Sequence, residues 1–338
     1  MRHRHPSKNK TAPGSQRTDS HTVWEHLLPY CARSAGRGNI LKQNGKKKSK
    51  FARFEAYLWM LPTLFLISVF VLFPVLESVY MSFSKVSKAG IIKKFGTLDN
   101  YRYVLRQPVF PRVILNTIIW TAVIVAISIV LSITLAIVLN ERFKLRRITR
   151  TMLLFPWATS GFITACVWKY ALDYQYGSIN ALLIRTGIVR KNINFLGHAG
   201  SAFAWLIFVG VFVTVPFMTF TLLSGLQSIS SDYYEAATID GATFWSKLFK
   251  ITLPLLKPAI NVTIVLNVIY CFNSFVFVHT ITGGAPAHRT DTIMTYLYWM
   301  AFSKGNYGAA SAISVIGFIV LLIFSIIYMN IQMKEETA

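Results

Sequence analysis

Glu235-Ala236-Ala237, Asp240-Gly241 and Ile251-Thr252-Leu253-Pro254 lie in a polar segment between two long apolar runs, the placement of an amphipathic helix–turn–helix that presents something to a soluble partner. A carboxylate at 235 offers charge-assisted hydrogen bonds to another protein. The two alanines leave room for a close approach, and Gly241 accepts the left-handed conformation that ends a helix. Asp232-x-x-Glu235 fits a capping box, with Ser231 or Asp232 as the N-cap. Residues 228–258 are therefore expected to hold two short helices, the second starting at Asp240 or Thr243. Phe244, Leu248 and Ile251 share one face of that second helix, with Trp245 beside them, and Pro254 is expected to halt it. Taken alone, the same pattern also fits an interfacial loop whose aromatic residues rest on lipid.

A second group lies inside apolar sequence: Thr214-Val215-Pro216-Phe217 and Tyr270-Cys271-Phe272-Asn273-Ser274-Phe275. Hydroxyls, an amide and aromatic faces are what a polar, uncharged solute such as a sugar requires, and transporter sites lie near the midplane on kinked helices. The same residue types also serve as glue between helices. Other chemistry is not legible. There is no phosphate-binding loop, so ATP and Mg are expected on a partner rather than in this chain. The seven histidines and three cysteines show no metal-ligand spacing, and neither a metal nor a cofactor is expected here.

The elements that carry these groups follow from composition. The chain has 338 residues, is 54% hydrophobic and only 14% charged, and has a mean hydropathy of +0.47. Such a balance makes the bilayer the expected solvent. About 20 apolar residues cross the hydrocarbon as a helix. Six runs qualify, at 57–83, 113–140, 151–172, 202–227, 259–281 and 308–331. Backbone groups in lipid must be satisfied within the segment, so all six are read as helices.

The formal charge is +22, and 13 of the 35 Lys and Arg fall in residues 1–56. That tail lacks an apolar signal core and is read as a basic cytoplasmic anchor. It has no aromatic interleaving, which argues against nucleic acid as a partner. With both termini inside, the inner segments hold 22 Lys and Arg against 12 in the outer ones. The tail accounts for that excess, and the connector Arg142, Lys144, Arg146, Arg147, Arg150 supports it independently. The spans hold almost no ionisable groups, with Glu77 and Lys169 near span ends. Ion-coupled carriers keep carboxylates or histidines in the membrane, so energy is expected to arrive from outside the bundle.

The spacing Glu-Ala-Ala-x3-Gly-x9-Ile-x-Leu-Pro resembles the signature of type I ABC importer permeases, the membrane subunits of binding-protein-dependent uptake systems. The resemblance runs from about residue 55 to 331. Leu98-Asp99-Asn100-Tyr101, Tyr176-Gly177-Ser178-Ile179-Asn180 and Thr282-Gly283-Gly284-Ala285-Pro286 resemble the first permease of carbohydrate systems, with Ala285 in place of the usual glycine. It implies an all-α integral membrane fold of six transmembrane helices. A permease domain would span 57–331 with its coupling loop at 228–258, between a tail at 1–56 and a short cytoplasmic C-terminus at 332–338. It implies that Glu235, Ala236, Ala237, Asp240, Gly241, Ile251, Leu253 and Pro254 couple to an ATPase. By similarity to the maltose-type permease, Thr214, Phe217, Tyr270, Cys271 and Ser274 would face a substrate cavity, with Asn273 among them.

The function so implied is that of a sugar or oligosaccharide permease in a bacterial inner membrane, not an enzyme itself. Its implied partners are a second homologous permease, two ATPase subunits, an extracytoplasmic sugar-binding protein and membrane lipid. Alternatives are the same fold importing glycerol phosphodiesters or another polar solute, and a secondary carrier.

Overall fold

Proline, glycine and a few polar side chains decide where the long apolar runs bend. The computed structural model describes residues 50–141 and 143–336; the basic tail up to residue 49, Arg142 and the last two residues lie outside it. Contacts divide the chain at Val69/Phe70. In the first unit the described residues form α1 (Lys50–Ile67), which enters a π-helical turn at Ser68–Leu72.

The second unit holds everything else. In order come α2 (Phe73–Ser82), a hairpin of β1 (Ser84–Val86) and β2 (Ile92–Phe95), α3 (Asp99–Leu105), α4 (Phe110–Asn140), α5 (Arg146–Ala158), α6 (Gly161–Ala171) and α7 (Ser178–Arg185). Then follow α8 (Ala199–Gln227), α9 (Ser231–Ile239), α10 (Phe244–Lys247), α11 (Leu253–Phe272), α12 (Val276–Ile281), α13 (Ile293–Tyr298) and α14 (Tyr307–Glu336). Among the described residues five helical stretches are long and apolar enough to cross a membrane, and six if the bent α5–α6 pair is one span.

That pair departs from expectation. The run 151–172 reads as one straight span, yet α5 and α6 meet at 91°. Thr159 and Ser160 are extended (ψ 150° and 131°), so the helix cannot continue through them. Pro156 has already removed one backbone donor in the turn before. Thr159 Oγ1 donates to the Pro156 carbonyl at 3.0 Å and pairs with Thr164 Oγ1 at 2.8 Å, which takes up groups freed by the break. The basic connector also has a structural task. Arg146 Nε and Arg150 Nη2 both donate to the Leu139 carbonyl, at 2.8 and 3.1 Å, closing the C-terminal end of α4.

Helix α4 is the axis of the fold. Along its length it enters three apolar clusters. Phe110 and Val113 meet Ile293, Tyr296 and Ala309. Trp120 and Ile124 meet Leu206, Val209 and Phe277. Ala136 and Leu139 meet Leu222, Leu226 and Leu256. Gly210 lets α8 lie directly against α4: a Cβ there would collide with Ile124 and press on Trp120.

Two of the motifs are staples. Asn100 Nδ2 donates to the carbonyls of Ser82 and Ser84 at 2.9 and 2.8 Å, tying the hairpin to α3. Asn180 donates to the Ile193 carbonyl at 3.0 Å, and its own Oδ1 accepts the Ile193 N–H at 3.0 Å, closing the loop after α7. The small β-hairpin was not expected from the sequence.

Candidate functional site

The segment 228–258 begins with a cap one residue earlier than the sequence suggests. Ser230, not Ser231 or Asp232, is the N-cap of α9, and its Oγ accepts the Asp232 N–H at 3.3 Å. The helix ends in a Schellman arrangement. Gly241 has φ +74°, its N–H donates to the Thr238 carbonyl at 3.1 Å, and the Ala242 N–H reaches the Ala237 carbonyl at 2.8 Å. Thr243 caps α10, accepting from the Ser246 N–H at 3.4 Å.

Pro254 does not halt the second helix. Residues 248–252 widen into a π-helical turn, and Pro254 follows it as the second residue of α11. The chain thus stays helical from Phe244 into the fifth span. Two side-chain bonds bind α9 to this rod, and a third braces the rod itself. Tyr234 Oη pairs with Thr252 Oγ1 at 3.1 Å, Lys247 Nζ donates to Thr238 Oγ1 at 2.8 Å, and Thr252 Oγ1 donates to the Lys247 carbonyl at 3.3 Å. These bonds tie α9 to the helix that continues into α11.

The tip of this unit is bare. Glu235, Ala236, Asp240 and Gly241 are exposed, and Ile239 is 87% exposed beside the open rings of Phe244 and Trp245. Ala237, Ile251 and Leu253 are half-buried and Pro254 is exposed. An open groove of about 630 Å³ lies behind it, lined by Asn140, Glu141, Tyr234, Lys247 and Thr252 among others.

The second site is a cavity of about 260 Å³ bounded by Trp157, Val213, Thr214, Phe217, Leu266, Asn267 and Tyr270. Three helical stretches meet there: α5 just before its break, α8 around Pro216, and the C-terminal half of α11. Trp157 and Phe217 stack with ring centroids 6.0 Å apart and 23° between planes. Thr214 Oγ1 donates to the Gly210 carbonyl at 2.6 Å and Asn267 Nδ2 to the Thr263 carbonyl at 2.8 Å. Each keeps an acceptor for a ligand hydroxyl. The lining carries no charged side chain.

Thr214, Phe217 and Tyr270 are thus brought together. Cys271 is buried at the end of α11, where its carbonyl accepts the Trp120 indole N–H at 2.9 Å. Asn273 caps α11, its Nδ2 donating to the Ile269 carbonyl at 2.9 Å, and Ser274 is half-buried in the break that follows. None of Cys271, Asn273 and Ser274 lines this cavity. Trp157 and Asn267 were not anticipated. A Pro-Trp pair inside an apolar run, next to a kink, is the signal that could have pointed to Trp157.

Comparison with known proteins accords with this arrangement. Residues 128–333 match the family described as binding-protein-dependent transport system inner membrane component. A probable ABC transporter permease protein of Brucella suis is 40% identical over 280 residues, covering 83% of this chain and 97% of that one. The trehalose/maltose transport system permease protein of Thermococcus litoralis is 37% identical over 81% of this chain and 92% of its own. In fold, the chain is similar to a solved bacterial ABC transporter involved in importing the acidic polysaccharide alginate, with a TM-score of 0.76 at 22% identity over 85% of this chain and 98% of that one. An integral membrane permease with this coverage and identity belongs to the binding-protein-dependent ABC transporter permease family.

Proposed function

We propose that this chain is the permease subunit through which an ATP-driven importer carries a sugar or oligosaccharide across the bacterial inner membrane, with both termini cytoplasmic. It forms half of the pathway, and a second homologous permease forms the other half. Two ATPase subunits bind ATP and Mg and perform the hydrolysis, and an extracytoplasmic sugar-binding protein delivers the cargo.

The observation that carries this reading is the α9–α11 unit. Its exposed tip of Glu235, Ala236, Asp240 and Gly241 is bonded rigidly to a helix whose other end lines the cavity. Closure of an ATPase dimer on the tip would turn that helix and open or shut the cavity, which is how a remote site biases a two-state bundle. The aromatic stack and the uncharged lining favour a neutral saccharide over a glycerol phosphodiester, which would require a cation in the cavity.

Uptake by the assembled importer in membrane vesicles tests this. Glu235→Lys and Gly241→Asp should each lower ATP-dependent uptake by about tenfold or more, equivalent to about 1.4 kcal/mol of lost coupling, while membrane insertion stays intact. Full uptake by both variants would rule the mechanism out. Transport by this chain alone without ATP would point to a secondary carrier instead.

A further inference from the structure

Residues 84–112 hold seven Lys and Arg against one acid, Asp99, and all seven are exposed. This is an unusual load for the outer side of the membrane, where cationic loops are disfavoured. The hairpin concentrates it. Its register sets Lys85 directly opposite Lys94, a like-charge cross-strand pair that weakens a two-stranded sheet.

Lys85 alone among the hairpin lysines meets a carboxylate, Asp99 at 3.0 Å, and Arg102 stands 4.0 Å from the same group. Lys88, Lys93 and Lys94 have no acidic partner among the described residues. The stem of Lys88 passes beside Gly305, so the tip of the hairpin adjoins Lys304 and extends the basic face.

The platform is held stiffly despite this repulsion. Asn100 clamps the carbonyls of Ser82 and Ser84, Tyr101 Oη pairs with Ser82 Oγ at 2.8 Å, and Phe95 stacks on Tyr80 with centroids 4.6 Å apart. Among the cations, Ile91, Phe95 and Leu98 are open to solvent. Exposed apolar side chains interspersed with charged ones are what a protein partner can cover. A fixed register is also what a shaped protein partner needs, whereas lipid headgroups are attracted by any flexible cationic segment.

We propose that the hairpin Ser84–Phe95 is a docking platform for an acidic face of the extracytoplasmic binding protein, which it attracts through the field of its unpaired lysines. This deepens the importer reading and rests on it, because that reading places the hairpin outside.

The test uses the full importer in nanodiscs, titrated with its binding protein while ATP hydrolysis is measured. The variant K88E/K93E/K94E should raise the half-saturating concentration of binding protein by about tenfold at low salt, with the rate at saturation within about twofold of wild type. Added NaCl should weaken the wild-type interaction and leave the variant nearly unaffected. The neutral K88Q/K93Q/K94Q variant should fall between the two. Half-saturation within about twofold of wild type, with an unchanged salt slope, would overturn the docking proposal while leaving the importer intact. A defect that appears only in discs rich in phosphatidylglycerol would assign the face to lipid and overturn it as well. If binding protein fails to stimulate wild type at all, the importer reading itself falls and takes this one with it.

Discussion

The indole N–H of Trp120 donates to the Cys271 carbonyl at 2.9 Å, joining the middle of α4 to the end of α11 across 151 residues of sequence. The same carbonyl accepts the Ser274 N–H at 3.1 Å, so the indole supplies its second hydrogen bond where the fifth span breaks. Trp120→Phe keeps the ring and removes the donor. It should lower stability in detergent or nanodiscs by about 0.5–1.5 kcal/mol, the net contribution of one hydrogen bond to a carbonyl that keeps its other partner. Thermal unfolding of the purified permease checks this, and an unchanged midpoint would show that the bond contributes nothing.

Gly210 makes a second demand on the same interface, because a Cβ there would run into Ile124. Gly210→Ala should destabilise by about 1–3 kcal/mol through overpacking. Ile124→Ala in the same chain should recover part of that loss, since the two sites share one volume. Additive losses in the double variant would place the cause elsewhere.

At the tip, Gly241 adopts φ +74° with open space around it, so only backbone strain opposes a side chain there. Gly241→Ala should cost about 1–2 kcal/mol locally. The amides of 236–242 should exchange hydrogen faster, and coupled uptake should fall with insertion unchanged. Exchange rates equal to wild type would show that the turn does not depend on glycine.

In the cavity, Trp157→Ala should raise the half-saturating sugar concentration about two- to tenfold, matching an aromatic stacking contribution of about 0.5–1.5 kcal/mol. Trp157→Phe should restore most of the affinity. Uptake titrations with the cognate binding protein held saturating would separate this effect from docking.

Lys85, with help from Thr97, holds the Asp99 carboxyl below its ordinary value. The folded value is therefore lower than the unfolded one. The pair's contribution is complete above about pH 4, the unfolded range, and is lost as pH falls through the lower folded value. Hairpin order, read from a spin label at the Gly90 turn, should stay flat from neutral pH down to about 5 and loosen only at stronger acidity. Asp99→Asn should abolish that acid dependence; persistence of the dependence would exclude Asp99 as its origin.

Much of this molecule could be read locally. The spans followed from apolar length, because the bilayer imposes the same requirement on each segment wherever it packs. The α9 turn followed from Gly241 and its neighbours, because helix capping is decided within a few residues. Pro254 misled for a related reason: a proline halts a helix in its interior but starts one in the first turn, and the π-helical turn at 248–252 put it in the first turn.

From the residues alone one can read that this chain lies in a membrane as helices and presents a small-residue turn at 235–241. Both depend on composition and short-range spacing. That Trp157, Phe217 and Tyr270 share one cavity and that Lys85 faces Lys94 became visible in the folded chain alone. The first requires a 91° break that swings α5 toward α8 and α11, and the second a strand register. Both are fixed by contacts between residues distant along the chain, or by a turn whose geometry composition does not encode.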